Sequence, residues 1–495
     1  MERGIPLVGV PLFVMPYLLV VATKIIFIFV HIFPFWCAIM EKKEEFTFLA
    51  QENACNTGGN IMAEQLCLGV ARRVISPEVG CNLAGYGPNV ISTSLHDDLT
   101  ATAFCFQTGD TRAMMVSVTV CSLRTPLCDK IREEIERVTG IPRDNCIIHA
   151  VHTHSGPITS GGFGWGSFNA EYCENILFPR ILDAAREAVE KTIPVNMKVS
   201  VGDSFVGVNR RELTEDNRVI LGQNPWGSFN PKMTILSFCD LSGNGVANLI
   251  HYGCHGTASG INHEISRDWM GVMIDMLEEE SGAITAFFNG AEGDVGPRLA
   301  NGKTVGEAHV SYAVEHGAIA GADAVRIYSQ PDQYKMATLE VSTAQITIPL
   351  LPRISQETAS QELEKYKTAT YNLNARKRRF YEATLASYDE GYVEESGFSF
   401  TQTAIRVGDV VFLAFPYEIF SEIGMRIAKS SPITHTLSIA NANGAGGYMV
   451  TQDQLCRGGY EVDMFMTRPV QRFVDNADHQ LITQTLTHLR TTKGE

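Results

Sequence analysis

Two histidines spaced two residues apart, His152 and His154, stand at the end of an apolar run from Cys146 to Val151. On a β-strand such residues project to one face, so both imidazoles can point into a single cleft. Imidazole is the usual nitrogen donor to zinc, and a catalytic zinc takes a few N and O ligands while leaving a position for water. A His-x-His pair at a strand end therefore suits a metal ligand plus a neighbour. His255 follows a second strand-like run, Val246 to Tyr252, and Glu418 follows a third, Asp409 to Phe415. These two are the further ligand candidates. Each also has an ordinary reading, as a hydrogen-bonding residue that closes a strand.

The elements that must hold these residues read as an α/β body, with short β-branched runs alternating with longer amphipathic segments. Met114 to Leu123 reads as a buried strand, and Pro126 to Val138 as a helix with Ile131, Ile135 and Val138 at helical spacing. After the His152 strand, Asn169 to Lys191 resumes as a long helix with Leu177, Ile181, Ala184 and Ala188 facing inward. Lys232 to Cys239 and Val246 to Tyr252 read as neighbouring strands joined by a Gly-containing turn. Helix Arg267 to Glu279 leads to strand Ile284 to Phe288, which opens into the Gly-rich segment Asn289 to Pro297. Gln356 to Tyr388 reads as one long charged helix, and Ile419 to Ala428 as another helix. No internal repeat is visible. The expected architecture is α/β, with mixed β-sheets flanked by helices in a single large catalytic domain.

Composition agrees with a packed, enzyme-sized body: of 495 residues, 45% are hydrophobic and 19% charged. The net charge of -15 works against phosphate binding, so nucleic acid is excluded as a partner. The 12 cysteines lie in apolar stretches without a Cys-x-x-Cys pair, which fits buried thiols in a reducing compartment.

Residues 1–61 are a separate matter. From Ile5 to Met40 the chain is almost wholly apolar, broken by Lys24 and four prolines. Read literally, residues 5–40 are a membrane anchor and a route to membrane contact. A second reading competes, because Thr57-Gly58-Gly59 is encodable as a purine-rich ribosome-binding sequence, with Asn60-Ile61 as a spacer before Met62. Translation from Met62 would place residues 62–495 in the cytoplasm.

Several segments of that body, taken together, resemble the catalytic domain of the neutral/alkaline non-lysosomal ceramidases. They are Gly69 to Arg72, Leu83-Ala84-Gly85-Tyr86-Gly87, His152-Thr153-His154-Ser155-Gly156-Pro157, Asn209-Arg210, Asn289 to Pro297, Pro416-Tyr417-Glu418 and Tyr448 to Thr451. The resemblance runs from about Leu68 to about Phe465 and does not extend to the C-terminal immunoglobulin-like domain of the longer ceramidases. It implies Zn2+ held by His152, His255, Glu418 and Tyr448. It places His154 beside the metal as proton carrier, with Tyr448 steadying an oxyanion and Arg210 near the site. Asp268 and Asp294 are expected as acceptors that orient the imidazoles, with turn capping an equal alternative for Asp294. The implied reaction is hydrolysis of a linear amide in ceramide or another N-acyl lipid by metal-activated water.

The sequence departs from the family where ceramidases carry Gly-Asp-Val-Ser-Pro-Asn and this chain has Gly293-Asp294-Val295-Gly296-Pro297-Arg298. Gly296 has no hydroxyl, so covalent serine catalysis there is excluded, and Arg298 adds a group suited to a carboxylate or phosphate. Two rivals follow. One is a deacylase or esterase of a small polar acylated metabolite, and the other is a catalytically silent homologue that binds zinc or a ligand.

Overall fold

The strand Thr100–Thr108 is buried from Thr100 to Phe106, and its two faces divide by size. Ala101, Ala103 and Cys105 point one way into a core shared with helices, while Phe104 and Phe106 point the other way into a core shared with a second sheet. Small residues let a helix approach closely, and large ones fill the wider gap between sheets. This alternation sets up the architecture of the computed structural model, which describes residues 65–161, 165–370, 372–468 and 470–492.

The large sheet has eight strands in the order Ile284–Asn289, Gly245–Tyr252, Lys232–Asp240, Ile193–Asp203, Cys67–Val74, Thr100–Thr108, Thr111–Val118 and Cys146–Ala150. It is mixed: the first two strands are parallel to each other, as are the last two, and the pairs between them are antiparallel. Its outer face carries two pairs of helices side by side. Thr125–Thr139 and Phe178–Glu190 pack Ile131, Ile135, Ile181 and Ala184 against one half. Asp268–Ser281 and Ser311–Tyr328 pack Trp269, Met273, Leu277 and Ile327 against the other. The inner face meets a four-stranded sheet, Leu339–Pro349, Gly397–Val407, Val410–Ala414 and His435–Ile439. Leu339, Ile405 and Phe412 interleave with Leu68, Phe104 and Phe288 between the two sheets. The far side of the smaller sheet is covered by Ser421–Ser430 and Ala477–Thr492. Helix, sheet, sheet, helix is the expected class of mixed sheets flanked by helices.

Two expected helices differ in detail. The long helix from Asn169 is interrupted by a wide π turn, Cys173–Leu177, just ahead of Phe178–Glu190. Pro179 has no N–H to bond the preceding turn, and the ladder widens there. Gln356 to Tyr388 is two helices, Gln356–Tyr366 and Asn372–Asp389. One continuous charged helix would have little face to bury. The break lets Tyr366 stack on Tyr381, with centroids 6.0 Å apart, and brings Lys377 over the Tyr366 ring.

Residues 1–61, with the apolar stretch 5–40, lie outside the described residues. Among the described residues no helix is long and apolar enough to cross a membrane, and the cysteines are free thiols, most of them buried.

Candidate metal centre

The two histidines follow the ends of strands, and Glu418 and Tyr448 begin strands of their own. The Cys146–Ala150 strand ends two residues before His152, which sits at φ 72° in the left-handed region. Such a backbone is costly for a residue with a Cβ and persists only where its surroundings impose it. Here His152 N–H donates to the Val120 carbonyl at 3.0 Å, and His154 N–H donates to the Gly256 carbonyl at 3.0 Å. The expectation that His152 and His154 converge is met, with Nε2 atoms 3.1 Å apart. The cause is this turn and not the alternation of a strand.

His255 follows Gly245–Tyr252 and is 1% exposed. Glu418 and Tyr448 start two short parallel strands, Glu418–Ile419 and Tyr448–Met449, and pair directly across them. Behind Tyr448, Arg210 on strand Gly207–Leu213 donates from Nη2 to Tyr448 Oη at 2.9 Å and from Nε to Glu461 Oε1 at 2.8 Å.

The histidine tautomers follow from their partners. His152 Nδ1 lies 2.7 Å from the Cys121 carbonyl, and His255 Nδ1 lies 2.8 Å from the Glu292 carbonyl. A carbonyl only accepts, so both Nδ1 atoms carry the proton and both Nε2 atoms present a lone pair. Those lone pairs face Glu418 Oε2 at 3.6 Å from His152 and 3.2 Å from His255, and Tyr448 Oη lies 3.5 Å from His255 Nε2. Acceptors facing one another inside a protein need a donor hydrogen or a positive charge between them, and the neutral Tyr448 hydroxyl has a single hydrogen to give. A proton is a poor source. Burial lowers the His152 pKa, and burial followed by the Arg210 charge lowers that of His255 to about 3. Burial also keeps Tyr448 neutral, well above the usual phenol range, although Arg210 works the other way. A divalent cation meets the requirement, and His152, His255 and Glu418 offer ligand atoms within 4.8 Å of one another. The residues fit a metal ion with imidazole and oxygen ligands.

Comparison with known proteins bears on this arrangement. The family model described as neutral/alkaline non-lysosomal ceramidase, N-terminal, matches residues 67–313. The chain belongs to that family. Neutral ceramidase A of Dictyostelium discoideum is 26% identical over 252 residues, which cover 45% of this chain and 34% of that protein. Neutral ceramidase of Mycobacterium tuberculosis is 27% identical over 252 residues, covering 44% and 38%. The chain thus matches little more than a third of these relatives' lengths. The crystal structure of neutral ceramidase from Pseudomonas aeruginosa superposes with a TM-score of 0.68 at 18% identity, covering 87% of this chain and 75% of that one. The ceramidase fold therefore extends well beyond residue 313, toward the segments that carry Glu418 and Tyr448.

At the position of the ceramidase serine, Gly296 pairs with Val208 in a short strand, and a Cβ there would lie 2.6 Å from Thr304 Cβ. Thr304 fills the space that a larger side chain would need. Arg298 is exposed and donates to the Phe205 carbonyl, so the structure does not bring it to the four proposed ligands. Asp268 and Asp294 do not orient the imidazoles. Asp268 accepts from the backbone N–H groups of Ala258 and Ser259, and Asp294 accepts from Ser421 N–H and Asn209 Nδ2. Backbone carbonyls do the orienting instead.

His154 rests against the family's Leu83 to Gly87 motif. Ala84 N–H bonds to the Gly156 carbonyl, and the Tyr86 ring meets the His154 ring edge to face at 5.1 Å. Gly85 has φ 110°, and a Cβ there would overlap the imidazole at Nδ1. Burial lowers the His154 pKa well below its usual value, reinforced by His152 and His255. Its Nδ1 and the Tyr86 hydroxyl have no hydrogen-bond partner among the described residues.

Four residues of the surroundings escape sequence reasoning. Glu461, 1% exposed, bridges Arg210 and Arg211 with its two oxygens. Glu292 and Asn441 are joined by a 2.8 Å hydrogen bond, and both are buried. Only the position of Glu292 in the Gly-rich segment offered a signal. A cavity of about 910 Å³ lined by Arg211, Trp226 and Gln454 adjoins the far side of this network and includes none of the four proposed ligands.

Proposed function

We propose that this chain is a zinc-dependent hydrolase that cleaves a linear amide in ceramide or a related N-acyl compound. The observation that carries the reading is the buried convergence of His152 Nε2, His255 Nε2, Glu418 Oε2 and Tyr448 Oη, with lone pairs facing one another. These four residues would hold the ion. Zinc in such a site supplies a nucleophilic water near neutral pH and polarises an amide carbonyl.

The remaining roles belong to the chain's own side chains. Tyr448 Oη, held by Arg210 Nη2, is placed to stabilise negative charge on the carbonyl oxygen. Arg210 keeps its charge: burial opposes it, but Tyr448, Glu461 and Glu418 together raise its pKa. His154 stays neutral and lies within 3.1 Å of His152 Nε2, where it takes a proton from water and passes it to the departing amine. With Gly296 in place of the family serine, no hydroxyl at that position competes for the nucleophile's part.

The test is hydrolysis of ceramide and a panel of long-chain and short-chain N-acyl substrates by the purified protein, with metal analysis. Stoichiometric zinc and ceramide cleavage that stops after chelation and in His152→Ala are expected. Undiminished cleavage in either case overturns the assignment. Turnover confined to short polar acyl compounds would favour the small-metabolite deacylase, and bound zinc without turnover would favour the silent homologue.

A further inference from the structure

Glu292 is 0% exposed, and one of its carboxylate oxygens, Oε2, has no hydrogen-bond partner among the described residues. An apolar residue would avoid the desolvation cost of such a group, so its retention asks for a reason. The bonds that Glu292 does make supply one. Its backbone carbonyl accepts a hydrogen bond from His255 Nδ1–H at 2.8 Å. Its Oε1 accepts a hydrogen bond from Asn441 Nδ2 at 2.8 Å, and that same Nδ2 packs 3.3 Å from His152 Nδ1, a contact between two donors that is not itself a hydrogen bond.

Asn441 extends the connection in two more directions. Its carbonyl accepts from Ala150 N–H at 3.1 Å, at the end of the strand that leads to His152. Its own N–H donates to the carbonyl of Tyr417 at 3.2 Å, one residue before Glu418. Asn441 has φ 47°, so it shares with His152 a left-handed backbone that needs holding. The two side chains thus join the segments that bear His152, His255 and Glu418.

We infer that the Glu292–Asn441 pair is the positioning element of the metal centre, setting how tightly and in what geometry His152, His255 and Glu418 hold the ion. The inference rests on the zinc reading above, and extends it to two residues outside the four proposed ligands. Partners that orient metal ligands typically change affinity by about 10- to 100-fold when removed.

The experiment measures zinc affinity of the full chain by competition with a chromophoric chelator, alongside the visible spectrum of the cobalt(II)-substituted protein. Glu292→Ala and Asn441→Ala should each weaken zinc by about 10-fold or more and shift the cobalt bands. The double variant should lose little beyond the worse single variant, because both act through one contact. Glu292→Gln, which keeps an acceptor for Asn441, should recover affinity to within about threefold. Zinc affinities of the single variants within about threefold of the parent, or losses that add in full, would overturn the inference. So would an unchanged cobalt spectrum accompanied only by a lower melting temperature of the metal-free form, since that marks a scaffold role. A parent protein that binds no divalent metal would instead sink the metal centre itself, an outcome distinguishable from any difference among variants.

Discussion

Glu461 offers the sharpest energetic test of the network behind Tyr448. Its carboxylate accepts from Arg210 Nε at 2.8 Å and from Arg211 Nη1 at 2.7 Å, and all three side chains are at most 7% exposed. Replacing it by alanine strands two buried guanidinium groups. The loss is uneven. Arg211 keeps Gln454 Oε1 at 3.0 Å and the Gly458 carbonyl at 2.6 Å, whereas Arg210 is left with Tyr448 Oη. Breaking a buried ion pair by removing one partner costs about 3–5 kcal/mol, and Arg210 should account for most of it. Urea unfolding of metal-free protein should therefore place Glu461→Ala about 3–5 kcal/mol below the parent. Glu461→Gln, which keeps the volume and one acceptor oxygen, should fall between them. Freed of Glu461, the Arg210 guanidinium no longer has a fixed angle toward Tyr448, so turnover should fall in both variants. A Glu461→Ala protein within about 1 kcal/mol of the parent would refute the claim that this carboxylate holds the two arginines.

Three further outcomes follow from particular contacts. Gly85→Ala should displace the His154 ring and force a side chain into a backbone at φ 110°; turnover should drop steeply while zinc content is retained, and unchanged turnover would remove the claim that this glycine seats His154. Gly296→Ser should destabilise by about 1–3 kcal/mol because its Cβ would lie 2.6 Å from Thr304 Cβ; measured in a Thr304→Gly background, which removes that atom, the cost should be much smaller, and an undiminished cost would mean the crowding lies elsewhere. His316, buried against Trp269, has its pKa lowered to about 4 by burial, and its Nε2 has no partner among the described residues. Unfolded, it protonates near pH 6.5, so between about pH 6.5 and 4 the unfolded state binds the extra proton, and stability is full above that window and lost as pH falls through it. On moving from pH 7 to pH 5, His316→Phe should gain about 2 kcal/mol relative to the parent in urea unfolding; an equal gap at both pH values would refute this account.

The amino-acid order by itself determined the fold class and most of the proposed ligands, for a local reason. An apolar run that ends in a polar residue is readable without neighbours, and His152, His255 and Glu418 each stand just past such a run. Tyr448 was reachable only through the family motif, since a tyrosine after a short strand ordinarily covers a core. Tertiary structure alone decided the rest. Glu418 and Tyr448 lie 30 residues apart and meet because two short strands pair in parallel. Glu461 lies about 250 residues from the arginines it joins. The expected imidazole acceptors, Asp268 and Asp294, were displaced by the carbonyls of Cys121 and Glu292. Every residue carries a carbonyl, so nothing in the side-chain order marks the one that will face a histidine. The bare Nε2 atoms that call for a metal ion are set by those carbonyls, and so by the fold.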